Sequence, residues 1–161
     1  MSTVVCNAGP LIALAGIGQL GLLRELFGEV LVADEVRAEG EAGGKSGAGA
    51  DLLPTAPWLR VTSLSRKMDP LLAALLDRGE AATIALALQA SAALVLMDEV
   101  KGRRVARDVD GLAVIGTGRR LVEARRAALI SEVRPLIGQM RANGYWLAET
   151  IVAEILRQAG E

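Results

Sequence analysis

The segment at residues 75–99 constrains the fold most, because it joins a helical pattern to an apolar strand and places a carboxylate at a boundary of each. Glu80 stands at the start of the predicted helix, and Asp98 directly follows the apolar run at residues 94–97. A strand without polar positions is typical of a parallel sheet that is covered on both faces. Asp98 is therefore predicted at the edge of the sheet, where a ligand can reach it.

The same arrangement occurs at residues 3–7, where a short apolar strand ends at Asn7 before Gly9 and Pro10 begin a helix. Strand-like and helical patterns alternate along most of the chain, which predicts an α/β fold with a parallel sheet and helices on both faces. The predicted strands are residues 4–6, 30–32, 59–64, 93–97 and 112–115. The predicted helices are the one that begins at Glu80 and residues 10–27, 34–39, 99–107, 117–130, 133–143 and 148–158.

A chain of 161 residues with 52% hydrophobic composition is sufficient for one domain with a substantial core, so residues 1–161 are expected to form a single domain. The Gly-rich stretch at about residues 40–50 is predicted to be a flexible loop within it. The C-terminal helices, at about residues 133–158, are expected to pack on the sheet or on a second subunit. Apolar stretches are shorter than the roughly 20 residues that span a bilayer, and no signal peptide is evident, so we expect a cytoplasmic protein without membrane contact.

The sequence contains no histidine, which excludes Ser-His-Asp and Cys-His nucleophilic sites and the usual zinc sites. The single cysteine, Cys6, lies in an apolar strand and is interpreted as a core residue rather than a nucleophile. Residues 44–46, Gly-Lys-Ser, resemble part of a phosphate-binding loop, but Glu39 stands where its first glycine belongs. Chemistry must therefore depend on carboxylates, amides, hydroxyls, and Lys or Arg.

Four oxygen-bearing side chains are candidates for a site, and each also has a structural interpretation. Glu80 fits a capping box with Asp77, Asp98 can cap the next helix, and Asn7 can be a polar turn residue. Glu39 can belong to a solvated helix face. Taken together, the four favour a hard divalent cation, since Mg²⁺ binds few carboxylates and keeps several waters.

A divalent cation at this edge suits phosphodiester hydrolysis, because it lowers the pKa of a water and neutralises charge on the phosphate without histidine. Thr117 follows the last predicted strand and offers a hydroxyl at the same edge, although it can also cap a helix. Residues 100–134 contain nine Lys or Arg against four Asp or Glu, which fits either a solvated helix face or contacts to a nucleic-acid backbone. The candidates for such contacts are Arg103, Arg104, Arg119 and Arg120.

At these residues the chain resembles the PIN-domain superfamily, and within it the bacterial and archaeal branch related to the VapC-type toxins. The matching segments are residues 4–39, residues 76–130 and the tail RQAGE. The resemblance implies a three-layer α/β/α fold, an endoribonuclease activity that depends on Mg²⁺ or Mn²⁺, frequent homodimers, and often a small antitoxin protein that blocks the site.

The resemblance also assigns catalytic positions: the first acid of the family falls on Asn7, the helical acid on Glu39, the acid that opens the long helix on Glu80, and the acid after the next strand on Asp98. Glu35 is an alternative to Glu39. Asn7, Glu80 and Asp98 are the expected metal ligands, directly or through water. An amide oxygen brings no charge, so Asn7 should weaken binding of the cation.

Two hypotheses follow. The first is a VapC-like endoribonuclease in which a metal-activated water attacks RNA. The second is a PIN-fold module with weakened catalysis that binds RNA or protein, and Asn7 is the main reason to consider it. A purely structural role in an oligomer would depend only on the apolar C-terminal helices.

Overall fold

A computed structural model describes residues 2–41, 56–108 and 110–161 of the chain. Its strands form one parallel sheet in the order β3-β2-β1-β4-β5. These strands are β1 (Val4–Cys6), β2 (Val30–Ala33), β3 (Leu59–Thr62), β4 (Leu94–Leu96) and β5 (Val114–Ile115). The predicted parallel sheet is therefore confirmed, and β3, β4 and β5 are each two residues shorter than expected.

Nine helices are assigned within the described residues, and they flank the sheet in the three-layer α/β/α arrangement that was expected. They are α1 (Ala8–Gly16), α2 (Gly21–Phe27), α3 (Asp34–Glu41), α4 (Pro70–Leu75), α5 (Arg78–Gln89), α6 (Val100–Asp108), α7 (Thr117–Arg126), α8 (Arg134–Ala142) and α9 (Glu149–Ala159).

The core lies along the central strands. Val5, Val32 and Val95 are completely buried, as expected for β-branched residues in a parallel sheet with helices on both faces. The thiol of Cys6 is also completely buried, which agrees with its interpretation as a core residue.

The chain order of the strands creates a crevice beside β1. From β1 the chain continues to β2 and β3 on one side, and then returns to place β4 on the other side. The connection after β1 leads to β2 on one side of the sheet, and the connection after β4 leads to β5 on the other side. In open α/β sheets, ligands bind at the carboxyl ends of two neighbouring strands whose connections diverge in this way. Asn7 follows β1, and Asp98 lies two residues beyond β4, so both residues are at this position.

The single helix predicted over residues 10–27 is wrong, because the structure has two helices, α1 and α2, bent by 119°. Gly18 has a φ of +68° between them, a conformation that glycine adopts at little cost. Its amide donates to the Ala15 carbonyl at 3.1 Å and ends α1 in a turn. No single helix in the described part of the chain has the length and apolar character needed to cross a membrane; only this bent pair, taken together, reaches them.

Other differences are local. Helix α4 was not predicted, although Asp69 caps it by accepting from the Leu71 amide at 2.8 Å and Pro70 stands at its first position. Helix α9 packs on α7, where a β-carbon on Gly118 would lie only 2.5 Å from Ile155. The C-terminal helix therefore packs on another helix of its own chain. Of the predicted Gly-rich loop, residues 40 and 41 belong to α3 and the rest lies outside the described residues.

Candidate functional site

Asn7 turns its side chain away from α1 and towards α5. It occupies the N-cap position of α1 but makes no side-chain capping bond there. Its Oδ1 lies 3.1 Å from the hydroxyl of Thr83, which also lies 2.8 Å from the Gly79 carbonyl. A hydroxyl has one proton and can fully serve only one of these acceptors. Asn7 is 7% exposed, so its amide belongs to the crevice and not to a surface turn.

Glu80 forms the capping box that its sequence suggests and is nevertheless buried, with its carboxyl carbon 3.6 Å from the position of a β-carbon on Gly102 of α6. Its amide donates to Asp77 Oδ1 at 2.8 Å, and the Asp77 amide donates to Glu80 Oε2 at 3.3 Å. The side chain is only 8% exposed. Burial, and then the negative charge of Asp77, raises the pKa of the Glu80 carboxyl. Glu80 can therefore cap α5 and also serve as a site residue.

Asp98 binds the start of α7 through both carboxylate oxygens. Oδ1 accepts from the Thr117 amide at 2.7 Å, and Oδ2 accepts from the Thr117 hydroxyl at 2.6 Å. A β-carbon on Gly9 would lie 3.7 Å from Oδ2, so the carboxylate reaches the turn that follows Asn7. A β-carbon on Gly116 would lie 2.9 Å from Oδ1, too close for any other residue without a shift. The structure therefore brings Asp98 and Thr117 into direct contact beside the turn that carries Asn7.

Tyr145 is a member of this site that the sequence analysis missed. It lies in the loop between α8 and α9, and its pKa is raised by burial, by the charge of Asp98 and by a hydrogen bond to Asp98. Thr117 and Arg103 act in the opposite direction and lower this pKa. The only signal in the sequence is that Tyr145 is the single tyrosine of the chain. No local pattern shows that the loop folds back over Asp98.

Glu39 reaches the first turn of α5 but lies on a different part of it from Asn7. Its carboxylate lies directly against Gly79, where a β-carbon would displace it. Burial of the carboxylate, and then the charge of Asp77, raises its pKa. Glu39, Asp77 and Glu80 thus gather at the N-terminus of α5, where the helix dipole favours negative charge.

Glu35, the alternative to Glu39, faces a separate cavity of about 530 Å³ beyond the ends of β2 and β3. One buried oxygen of its carboxylate has no hydrogen-bond partner. Asp34 in the same lining bonds the hydroxyl of Ser63. The cavity is lined by Asp34, Glu35, Ser63, Leu64, Arg66, Met68, Ala73, Leu76, Arg78 and Ala81.

The carboxylates fit a cation that is bound by few protein ligands. Within residues 2–41, 56–108 and 110–161, no three His, Cys, Asp or Glu side chains are grouped closely enough to hold a metal ion. In the same residues, neither Glu80 nor Asp98 forms an ion pair with Lys or Arg. Mg²⁺ is commonly held by one or two carboxylates and several waters, and each carboxylate oxygen that accepts one hydrogen bond retains a second lone pair. Asn7, Glu80 and Asp98 carry oxygen donors of the kind that Mg²⁺ binds, and a cation held by them would need waters to complete its coordination.

The basic candidates differ in accessibility. Arg104 is exposed on α6, and Arg103 lies beside the site, where its Nη1 would be 3.5 Å from a β-carbon on Gly116. Arg119 is exposed but lies 3.8 Å from Glu123. Arg120 is 2% exposed and covers the ring of Phe27, so its guanidinium is not on the surface that a nucleic acid can reach.

The comparisons agree with this architecture. No curated protein and no solved structure matches the chain. A family model described as the PIN domain matches residues 3–161, which include every strand, Asn7, Glu80 and Asp98. With this match over nearly its whole length, the chain belongs to the PIN domain family.

Proposed function

We propose that the protein is an endoribonuclease that depends on Mg²⁺ or Mn²⁺. The observations that carry the proposal are Asp98 just beyond the end of β4 and the largely buried Glu80 at the start of α5, neither of which forms an ion pair with Lys or Arg in the described residues. A carboxylate that leaves water without a counter-charge costs free energy, and a divalent cation removes that cost. The PIN domain, a nuclease-type fold, provides the setting.

The residues of the chain have distinct roles in this proposal. Thr117 fixes the orientation of Asp98 with two hydrogen bonds, and Glu80 is held by its capping box. Asn7 offers a neutral oxygen, which lies 3.1 Å from the hydroxyl of Thr83 in α5. When bound, the cation would supply a water of lowered pKa and neutralise charge on the phosphate. Arg103 lies next to Asp98 and is placed to contact a phosphate of the RNA.

The resemblance to VapC-type toxins extends the proposal to a toxin that acts as a homodimer and is inhibited by a small antitoxin protein. The competing function is a PIN-fold module that binds RNA or protein with little catalysis. Asn7 at the position of the first acid and the absence of a three-acid group in the described residues favour the module.

Cleavage of a labelled single-stranded RNA by the purified protein separates these functions. We expect products in Mn²⁺ and none in chelator. Equal cleavage in the two conditions would contradict a metal-dependent mechanism, whereas RNA binding without cleavage in either condition would favour the module.

Exchanging Asn7 for aspartate tests whether the three oxygens share a cation. Asn7→Asp adds a third carboxylate at a position that is 7% exposed, so the metal-free variant should melt at a lower temperature than the parent. Mn²⁺ should then raise its melting temperature more than that of the parent, since a ligand stabilises according to its affinity. Ribonuclease activity should rise as well.

Gln89→Glu is the control, because it also converts an amide to a carboxylate, and Gln89 lies at the opposite end of α5 from Glu80, where its side chain accepts from the Ser65 amide at 2.8 Å. It should lower stability without changing the response to Mn²⁺. An Asn7→Asp variant whose melting and heat of binding are both insensitive to Mn²⁺ would show that these oxygens do not share a cation.

A further inference from the structure

Trp146 is the most exposed large apolar side chain in the described part of the protein. It is 82% exposed, whereas the next, Val100, is 65% exposed. An isolated apolar side chain at the surface is common, but a largely bare indole loses the burial that normally stabilises tryptophan. Trp146 directly follows Tyr145, so it belongs to the loop that lies near the candidate site.

The loop that carries Trp146 is fixed on several sides. The Tyr145 amide donates to the Met140 carbonyl at 2.9 Å, and Arg141 donates to the Leu147 carbonyl at 3.0 Å. Asn143 ties the start of the loop to Gly16. These bonds hold the backbone before and after Trp146, so its indole is presented by an ordered loop. A loop that is ordered before binding loses little conformational entropy when a ligand binds to it.

The same loop is joined to the candidate site. The Tyr145 phenol lies close enough to Asp98 for the charge of that carboxylate to raise the pKa of the phenol, and Arg103 is close enough to lower it. One loop residue therefore lies near the carboxylate at the sheet edge, and the next residue exposes an aromatic surface to solvent. A cationic side chain lies beside them.

We propose that Trp146 is a stacking platform for an unpaired base of an RNA strand whose phosphate lies at Arg103. This inference rests on the proposed function for its choice of RNA. A base can stack on an aromatic side chain only when it has left a duplex, so the surface selects single-stranded RNA. Stacking does not read hydrogen-bonding edges, so this contact tolerates any base.

A protein partner is less consistent with the surface. Tyr145, Leu147 and Ala148, the neighbours of Trp146 in the loop, are all partly buried. The loop thus presents a single indole, whereas stable protein interfaces bury a broad and continuous area. A flat aromatic ring beside an arginine and a site for phosphate matches the alternating bases and charges of a nucleic-acid strand.

Tryptophan fluorescence tests the inference without catalysis. In a Trp58→Phe background, Trp146 is the only tryptophan of the chain, and its emission can be followed while a short single-stranded RNA is added in chelator. We expect saturable quenching with single-stranded RNA, and little with a duplex of the same sequence. No quenching at saturating RNA would overturn the inference.

Affinity measured by anisotropy of labelled RNA provides the second readout. Trp146→Ala should weaken binding about tenfold, and Trp146→Phe should restore most of it, since each stacked base contributes through the aromatic face. Ile151→Ala, which removes an exposed apolar side chain of α9, is the matched control and should leave the affinity unchanged. Equal affinities of the Trp146→Ala variant and the parent would overturn the inference, as would a change in oligomeric state without a change in RNA affinity.

Because these measurements need no metal, they can refute the stacking platform independently of the proposed nuclease activity. Metal-dependent cleavage without quenching of Trp146 would refute the platform and leave the nuclease. Quenching and the tenfold effect without cleavage would retain the platform and refute the nuclease.

Discussion

Asp98→Asn is expected to reduce Mn²⁺-dependent cleavage of single-stranded RNA roughly 100-fold or more, since a cation at a phosphate contributes several kcal/mol and about 1.4 kcal/mol is a factor of ten. The substitution is well suited to this test because asparagine has nearly the same shape. Its Oδ1 can still accept from the Thr117 amide, and its Nδ2 can donate to the Thr117 hydroxyl. The charge is therefore lost while these contacts are kept.

Asp108→Asn is the matched control, since Asp108 is an exposed carboxylate at the end of α6. This variant should cleave like the parent. Thermal melts of both variants in chelator should stay close to that of the parent, which would show that lost activity is not lost folding. Cleavage by Asp98→Asn at the rate of the parent would remove Asp98 from the active site and overturn the proposed mechanism.

The sequence allowed the sheet and the position of the crevice to be predicted because both depend on local patterns. Apolar runs at β1 and β4 identify strands that are buried on both faces, and the polar residue after each run then falls at the sheet edge. Glu80 was predicted both as a capping residue and as a site residue, and its capping box is present in the structure. What could not be predicted locally is Tyr145, because its contact with Asp98 depends on how the loop between α8 and α9 folds over the sheet edge.

Two features that were predicted wrongly, the single helix over residues 10–27 and the exposed position of Arg120, could have been predicted correctly from the sequence. Gly18 and Gly21 interrupt the pattern of residues 10–27, and a turn at Gly18 divides that segment into two helices. In α7, Thr117, Arg120, Leu121 and Ala124 recur at the three- and four-residue spacing of a buried helix face, and the structure buries all four. Arginine was placed at the surface on residue type alone, whereas helical spacing predicts the interior for Arg120.

This burial leads to the other large expected effect, which concerns stability. The guanidinium of Arg120 contacts both carboxylate oxygens of Glu123 at 2.6 Å and lies 5.2 Å from the centre of the Phe27 ring. Arg120→Ala would remove these contacts and leave a cavity, so we expect a loss of about 3 kcal/mol in the free energy of unfolding. For a domain of this size the melting temperature should fall by roughly 6–12 °C. Arg120→Met fills the space without charge and should cost less.

Surface arginines serve as controls in the measurement of stability and in a measurement of RNA binding against salt concentration. Arg119→Ala removes a side chain that is 51% exposed, and it should change stability little. Arg104→Ala should flatten the salt dependence of RNA binding by about one counterion, while Arg120→Met should leave that slope unchanged. If instead Arg120→Ala melted like the parent and Arg120→Met flattened the slope, the guanidinium of Arg120 would contact RNA. Helix α7 would then have to rotate its buried face outward, and the packing of Arg120 on Phe27 would not represent the protein in solution.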